Sequence, residues 1–336
     1  MKNETFIQNM PKVELHLHLE GSMEADMMLQ LAQRNTISLP YQSIEEIKAA
    51  YQFTNLQDFL DIYYAGCQVL VTENDFYELT LAYLQRAHDE NIQHAEMMFD
   101  PQSHTQRGID LSTVMTGISK ARNYALNQWN LSTVLILSFL RHLSEEEAFK
   151  VLEQALPYRL QFEAVGLDSS ELGNPPEKFE RVFEYAHSLG LKTVAHAGEE
   201  GPPEYIWKSL ELLKIHRLDH GNNSMKDEAL IKVLAEKEIG LTLCPLSNLK
   251  LCVIQNMEDH PLKKMLQLNL KATVNSDDPA YFGGYLTDNY LAVAQALEMN
   301  EAQIYQTALN AIEVSFASEN RKIALTAQLQ QYFKKA

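Results

Sequence analysis

Eight short apolar runs alternate with amphipathic stretches along this chain, and no other feature narrows its possible folds as far. The runs cover residues 13–19, 92–99, 133–140, 162–167, 192–196, 217–220, 240–244 and 272–275. Between them apolar residues recur at helical spacing, for example over 75–88, 177–189, 226–237 and 286–297. About eight strand-to-helix alternations predict an α/β fold closed as a parallel (β/α)8 TIM barrel, which takes roughly 250 residues. The rival architecture is an open doubly wound sheet, which normally carries a glycine-rich phosphate turn after its first strand. No such turn stands here. The chain has 336 residues, and its surplus falls in two places. Residues 20–90 hold about three helical patterns and predict a helical insertion after strand 1 that can form a lid. Residues 299–336 predict extra C-terminal helices packed outside. With no linker, low-complexity tract or composition break, residues 1–336 are expected to form a single domain.

In such a barrel the C-terminal ends of the strands open on the active-site mouth. Polar residues with hydrolytic chemistry fall at those ends here. His16 and His18 lie two apart in an extended run, so both side chains share one strand face and can grip one metal. Taken alone, a half-exposed strand with polar teeth explains the pattern equally well. His196 closes the fifth strand and suits a third nitrogen ligand. Gly198 lets the backbone turn so that Glu199 can point back toward an activated water; an ordinary polar loop opening a helix accounts for the same residues. His220 ends the sixth strand, where a lone histidine is more often a structural hydrogen-bonder. Asp277 and Asp278 close the eighth, where adjacent carboxylates usually cap or face solvent. In a mouth that already holds three histidines, one can complete a metal shell and the other can face substrate. Three nitrogens and one carboxylate leave a coordination position for water, as a catalytic zinc site requires. Cys244 lies in an apolar strand, where buried packing is its expected role.

Charge and cysteine content exclude some partners. The formal net charge is −17, which would repel a phosphate backbone, so nucleic acid is not an expected partner. Three cysteines, an odd number, argue against a disulfide framework. No apolar run reaches the length of a membrane span, and residues 1–10 lack a signal-peptide pattern. A cytoplasmic protein without membrane partners is expected; oligomeric state is not legible.

Assembled in order, His16-Leu17-His18, His196-Ala197-Gly198-Glu199, Asp219-His220-Gly221, Cys244-Pro245-Leu246-Ser247-Asn248 and Ser276-Asp277-Asp278-Pro279 resemble the motifs of the adenosine and adenine deaminase family over most of the chain. The resemblance implies that His16, His18, His196 and Asp277 hold one zinc ion. It makes Glu199 the proton donor, gives His220 the attacking water to assist, and has Asp278 bind the purine. The stretches 58–64, 99–108 and 166–171 look like the adenine-specific branch, whereas nucleoside enzymes tend to carry Asp where Glu20 stands. The longer Glu20 side chain is expected to project into space a ribose would occupy. The implied reaction is hydrolysis of adenine to hypoxanthine and ammonia, with adenosine or N6-substituted adenines as alternative substrates. A two-metal amidohydrolase commonly carries a modified lysine at the end of strand four, and residues 162–168 contain none. A barrel that merely binds a purine or a protein partner should lack one of the key groups, and all are present.

Overall fold

A computed structural model describes residues 2–335. Its strands are β1 Lys12–His18, β2 Ile92–Phe99, β3 Ser132–Leu140, β4 Ala164–Asp168, β5 Lys192–Ala197, β6 Arg217–His220, β7 Gly240–Leu243 and β8 Lys271–Val274. Each strand pairs in parallel with the next, so the order in the sheet is the order in the chain. This is the expected barrel, and the strand ends largely match the expected ones. The largest shift is at β4, which begins at Ala164 because a 3-10 turn over Leu156–Gln161 runs up against it. Glu163 still ties to β3: its N–H donates to the Leu135 carbonyl at 3.0 Å, and its carboxylate accepts from the Leu135 N–H at 2.8 Å.

The last seam closes differently from the others. No continuous ladder joins β8 to β1; the segment just beyond β8 makes the join. The Asp277 N–H donates to the His16 carbonyl at 3.1 Å, and the His18 N–H donates to the Asp277 carbonyl at 2.9 Å. One step deeper, the Leu15 N–H donates to the Asn275 side chain at 2.9 Å, and the Ser276 N–H and hydroxyl both donate to Glu14 Oε1 at 2.8 and 2.7 Å. Closing the barrel therefore lays Asp277 against both β1 histidines.

Period-two alternation sorts the strand residues. Val13, Leu15 and Leu17 join the main core, while Glu14, His16 and His18 take the opposite face. Met98, Val134, Ile136, Ala164 and Val194 form a separate small apolar cluster. Near it, Glu96 and Arg217 make a fully buried ion pair at 2.6 Å, and Arg217 also donates to the Leu15 carbonyl at 2.9 Å. The Phe316 ring lies 4.5 Å from that guanidinium. A polar network with each charge paired costs far less than the same charges alone, so it can stand inside a barrel.

Helix α1, Lys2–Asn9, precedes β1. The insertion between β1 and β2 holds a 3-10 turn, Glu20–Ser22, and four helices rather than about three: α2 Ala25–Asn35, α3 Ile44–Ala50, α4 Leu56–Cys67 and α5 Glu73–Asp89. The additional α3 is one short element, capped by Ser43, that buries only Ile47 and so leaves little apolar period to detect. The stretch 177–189, expected as one helix, divides into a 3-10 turn over Pro176–Phe179 and a helix over Glu180–Ser188. The expected C-terminal helices are Glu301–Val314 and Glu319–Lys335. They dock through Asn310, which donates to the Ala272 carbonyl at 2.9 Å, and through Tyr332, which donates to the Phe6 carbonyl at 2.8 Å. Among the described residues no helix is long and apolar enough to cross a membrane.

Candidate active site

The ends of β1 and β5 and the segment beyond β8 meet at one point. His16, His18, His196 and Asp277, all buried, offer ligand atoms that lie within 4.8 Å of one another. His18 Nε2 and His196 Nε2 are 3.1 Å apart, and Asp277 Oδ1 stands 3.3 Å from His16 Nε2 and 3.5 Å from His18 Nε2.

The groups behind this cluster decide which way its lone pairs face. The Thr242 hydroxyl donates its single proton to Asp219 Oδ1 at 2.8 Å. It must therefore accept from His16 Nδ1, 2.9 Å away, which places a proton on Nδ1; in the neutral ring that a metal ligand requires, Nε2 then carries the lone pair. That Nε2 is buried without a hydrogen-bond donor and faces a carboxylate oxygen. Two facing lone pairs in a buried site repel unless a cation lies between them. Asp219 also stands 3.7 Å behind His196 Nδ1, so one carboxylate backs two of the three imidazoles. These donors, three imidazole nitrogens and one carboxylate oxygen, fit a divalent cation of borderline softness. Sequence reasoning quoted Asp219 only as part of a motif and missed Thr242; the alternation of β6 and β7 was the available signal for both.

Glu199 is buried with Oε1 unpartnered, and its Oε2 lies 3.6 Å from His220 Nε2. Burial, followed by the nearby Asp277 and Glu171 carboxylates, raises the Glu199 carboxyl well above its ordinary range. This shift favours the protonated form. Burial pushes the His220 imidazole down to about 3, so this ring is neutral and can accept. His220 Nε2 is also 3.9 Å from Asp277 Oδ2, which leaves it without a close protein partner and facing both carboxyl groups. His220 and Asp277 have left-handed backbones, with φ of 62° and 64°. Such values are uncommon outside glycine and cluster at functional sites.

The loop that carries Glu199 is held mainly by one carboxylate, with Asn223 donating to the Glu199 and Gly201 carbonyls at 3.2 and 2.8 Å. Buried Glu171 accepts from four successive backbone N–H groups: Gly198 at 2.6 Å, Glu199 at 3.1 Å, Glu200 at 2.9 Å and Gly201 at 2.8 Å. Gly201 is required for this approach, since a Cβ there would stand 2.3 Å from Glu171 Oε1. Sequence reasoning quoted Glu171 without assigning it this work, because partners that are backbone amides leave no residue pattern.

Asp278 faces the same cavity, with Oδ1 buried and unpartnered. Burial and the adjacent Asp277 carboxylate raise its carboxyl well above the usual range. Gly21 makes room for it: a Cβ at that position would lie 1.8 Å from Asp278 Oδ1. Leu56, Phe59, Leu60, Tyr63 and Tyr64 of α4 cover the cavity together with Phe282. Polar groups converging under apolar walls suit a flat, weakly polar ring.

One sequence expectation changes here. Glu20 does not line the cavity. Its Oε1 accepts from the Asp100 N–H at 3.1 Å and meets His104 Nε2 at 2.7 Å, so its extra methylene carries the carboxylate toward the β2 loop. Cys244 is buried as expected, with its thiol 3.6 Å from the Thr242 carbonyl, but it also lies near His220 and Asp277.

A family model described as Adenosine deaminase matches residues 11–332. The chain belongs to the adenosine deaminase family. Within that family it falls in the adenine deaminase branch. It is 55% identical over 329 residues to a protein named adenine deaminase from Hahella chejuensis, with 98% of each chain covered. The crystal structure of adenine deaminase from Arthrobacter aurescens superposes on this deaminase with a TM-score of 0.95 at 46% identity, covering 97% of this chain and 99% of that one. A crystal structure of an amidohydrolase from Burkhoderia ambifaria, with bound zinc, gives a TM-score of 0.90 at 26% identity, covering 99% and 94%.

Proposed function

We propose that this deaminase hydrolyses free adenine to hypoxanthine and ammonia, using one zinc ion per chain. The observation that carries the reading is the His16 Nε2 turned on Asp277 and flanked by His18 and His196, beside a buried Glu199 whose carboxyl is raised well above its ordinary range. The zinc in the Burkhoderia ambifaria relative and the names of the relatives near half identity or above support the choice of metal and substrate.

His16, His18, His196 and Asp277 would hold the ion. When bound, zinc supplies a nucleophile from solvent near neutral pH and stabilises charge developing at the carbon under attack. Neutral His220 accepts a proton from the attacking water as its oxygen bonds to C6. Glu199 donates its proton to N1, so the ring never carries the full negative charge. His220 then gives its proton to the amine, the C6 hydroxyl returns a proton to the Glu199 carboxylate, and ammonia leaves. Both side chains end as they began. Asp278 hydrogen-bonds a purine nitrogen and keeps C6 over the nucleophile. The apolar wall of α4 excludes bulk water from the cavity.

Two outcomes follow from the supporting geometry. Glu171→Gln replaces an acceptor for four amides with a group that also presents N–H, loosening the Glu199 loop. A small misplacement of a reacting group costs on the order of 10²-fold, so kcat for adenine should fall by about that factor while zinc content is retained. Kinetics with metal analysis checks it. Gly21→Ala drives a methyl group into Asp278, a clash worth about 1–3 kcal/mol. KM for adenine should rise with metal content unchanged; an unchanged KM would remove Asp278 from substrate binding.

Substrate choice is tested by kcat/KM for adenine, adenosine and N6-methyladenine on the purified protein. Adenine is expected to lead by at least about 10²-fold. Equal or better efficiency on adenosine would replace free adenine as the substrate.

A further inference from the structure

Two buried carboxyl groups in the cavity have no part in the chemistry above. Asp100 follows β2 and Asp168 ends β4; both line the cavity and each is only 2% exposed. Asp100 Oδ1 and both carboxylate oxygens of Asp168 are buried without a backbone or basic donor; the two carboxyl groups meet each other, and Asp168 also meets Ser138. Two carboxyl groups buried side by side with no cationic partner are costly, and such a pair is retained where something else completes it. The only close contact to these atoms from the metal cluster is His18 Nδ1, 3.6 Å from Asp168 Oδ2. Tyr63 reaches the other oxygen of Asp100, donating at 3.3 Å.

The placement of the pair is held from behind. Glu20 accepts from the Asp100 N–H and from His104, and Arg107 meets His104 Nδ1 at 3.0 Å. The carboxylate that sequence reasoning sent into the cavity therefore anchors the loop that sends Asp100 there. Across the cavity the position is equally defined. In a barrel ordered β1 to β8, strands β2 and β4 lie opposite β6 and β8. His220, at the end of β6, and Asp277, just beyond β8, stand where C6 reacts, with Glu199 following β5, the neighbour of β4. A purine with its C6 edge on that wall presents its imidazole edge to β2 and β4. The free base carries a hydrogen on N9 at that edge, and a nucleoside carries carbon instead.

We propose that Asp100 and Asp168 form a recognition site for the N9–H of the free base, accepting its hydrogen bond and rejecting purines that lack it. This rests on the adenine deaminase reading and adds the residues that set its substrate class. An acceptor built for a ring N–H discriminates more strongly than apolar shape, because the wrong ligand leaves the buried oxygen unpaired.

The test uses hypoxanthine and 9-deazahypoxanthine as competitive inhibitors of adenine turnover. They have nearly the same shape; the second has C–H at position 9 and carries its five-membered-ring N–H on N7, so the change of the ratio in the variants isolates the contact at position 9. Ki is measured for the wild type, Asp100→Asn and Asp168→Asn, with metal per chain determined for each. For the wild type, 9-deazahypoxanthine should bind at least about tenfold more weakly. The ratio should fall toward one in Asp100→Asn, which leaves His18 untouched, and in Asp168→Asn. A wild-type ratio near one, or a ratio that both variants preserve, overturns the proposal, and the wild-type comparison needs no variant to fold. His18, Asp100 and Asp168 also offer atoms within 4.8 Å of one another. Two metals per chain in the wild type, falling to one in Asp168→Asn, would make the pair a cation site instead. Failure of the wild type to turn over adenine is a separate result, and it would sink the functional reading itself.

Discussion

Glu199→Gln is expected to bind zinc like the wild type and to lose roughly 10²–10⁴-fold in kcat for adenine. The amide keeps the shape of the carboxyl group, and Glu171 still holds the loop through its four amide contacts, so geometry changes little. What disappears is the transferable proton. Burial and the Asp277 and Glu171 carboxylates favour that proton on Glu199, and among the described residues Asp277, which faces the metal cluster, is the other acid within 4 Å of His220 Nε2. Because the interaction forms only as C6 becomes tetrahedral, the loss should fall on kcat with KM nearly unchanged. Steady-state kinetics with metal analysis measures both, and near-wild-type turnover would remove Glu199 from the proton-donor role.

His16→Ala should lose metal and rate together, with adenine turnover down by more than about 10³-fold as solvent is no longer ionised near neutral pH. His16 is the imidazole whose orientation is most firmly set, through Thr242 and Asp219, and its loss removes the ligand atom nearest Asp277 Oδ1. A thermal readout separates this from misfolding. Zinc should raise the melting temperature of the metal-stripped wild type, because it binds the folded site, and should leave that of His16→Ala almost unmoved. A variant that binds zinc normally and stays inactive would move His16 from ligand to some other role.

The barrel was legible because eight apolar runs alternating with helical stretches admit few other closures, and strand alternation alone put His16 and His18 on one face. Strand-end histidines and the Asp277–Asp278 pair stood out because the polar residues interrupt apolar runs. What stayed hidden depends on direction rather than spacing. Glu20 lies in a 3-10 turn, where no period says which way a side chain leaves the chain, and it turned toward His104. Glu171 acts on backbone amides, which carry no residue identity. Asp100 and Asp168 read as members of a branch motif, but their shared wall exists only once β2 and β4 have curved to the same side of the mouth. The join of Asp277 to β1 was also invisible, since it replaces a strand ladder with two bonds made by one residue.

The most direct measurement is adenine turnover during stepwise addition of zinc to metal-stripped protein. Turnover is expected to start near zero, to climb in proportion to the zinc bound and to level off at one ion per chain. Full activity in the stripped protein, or none at any loading, would contradict a cation gripped by three imidazoles and Asp277 as the source of the reaction.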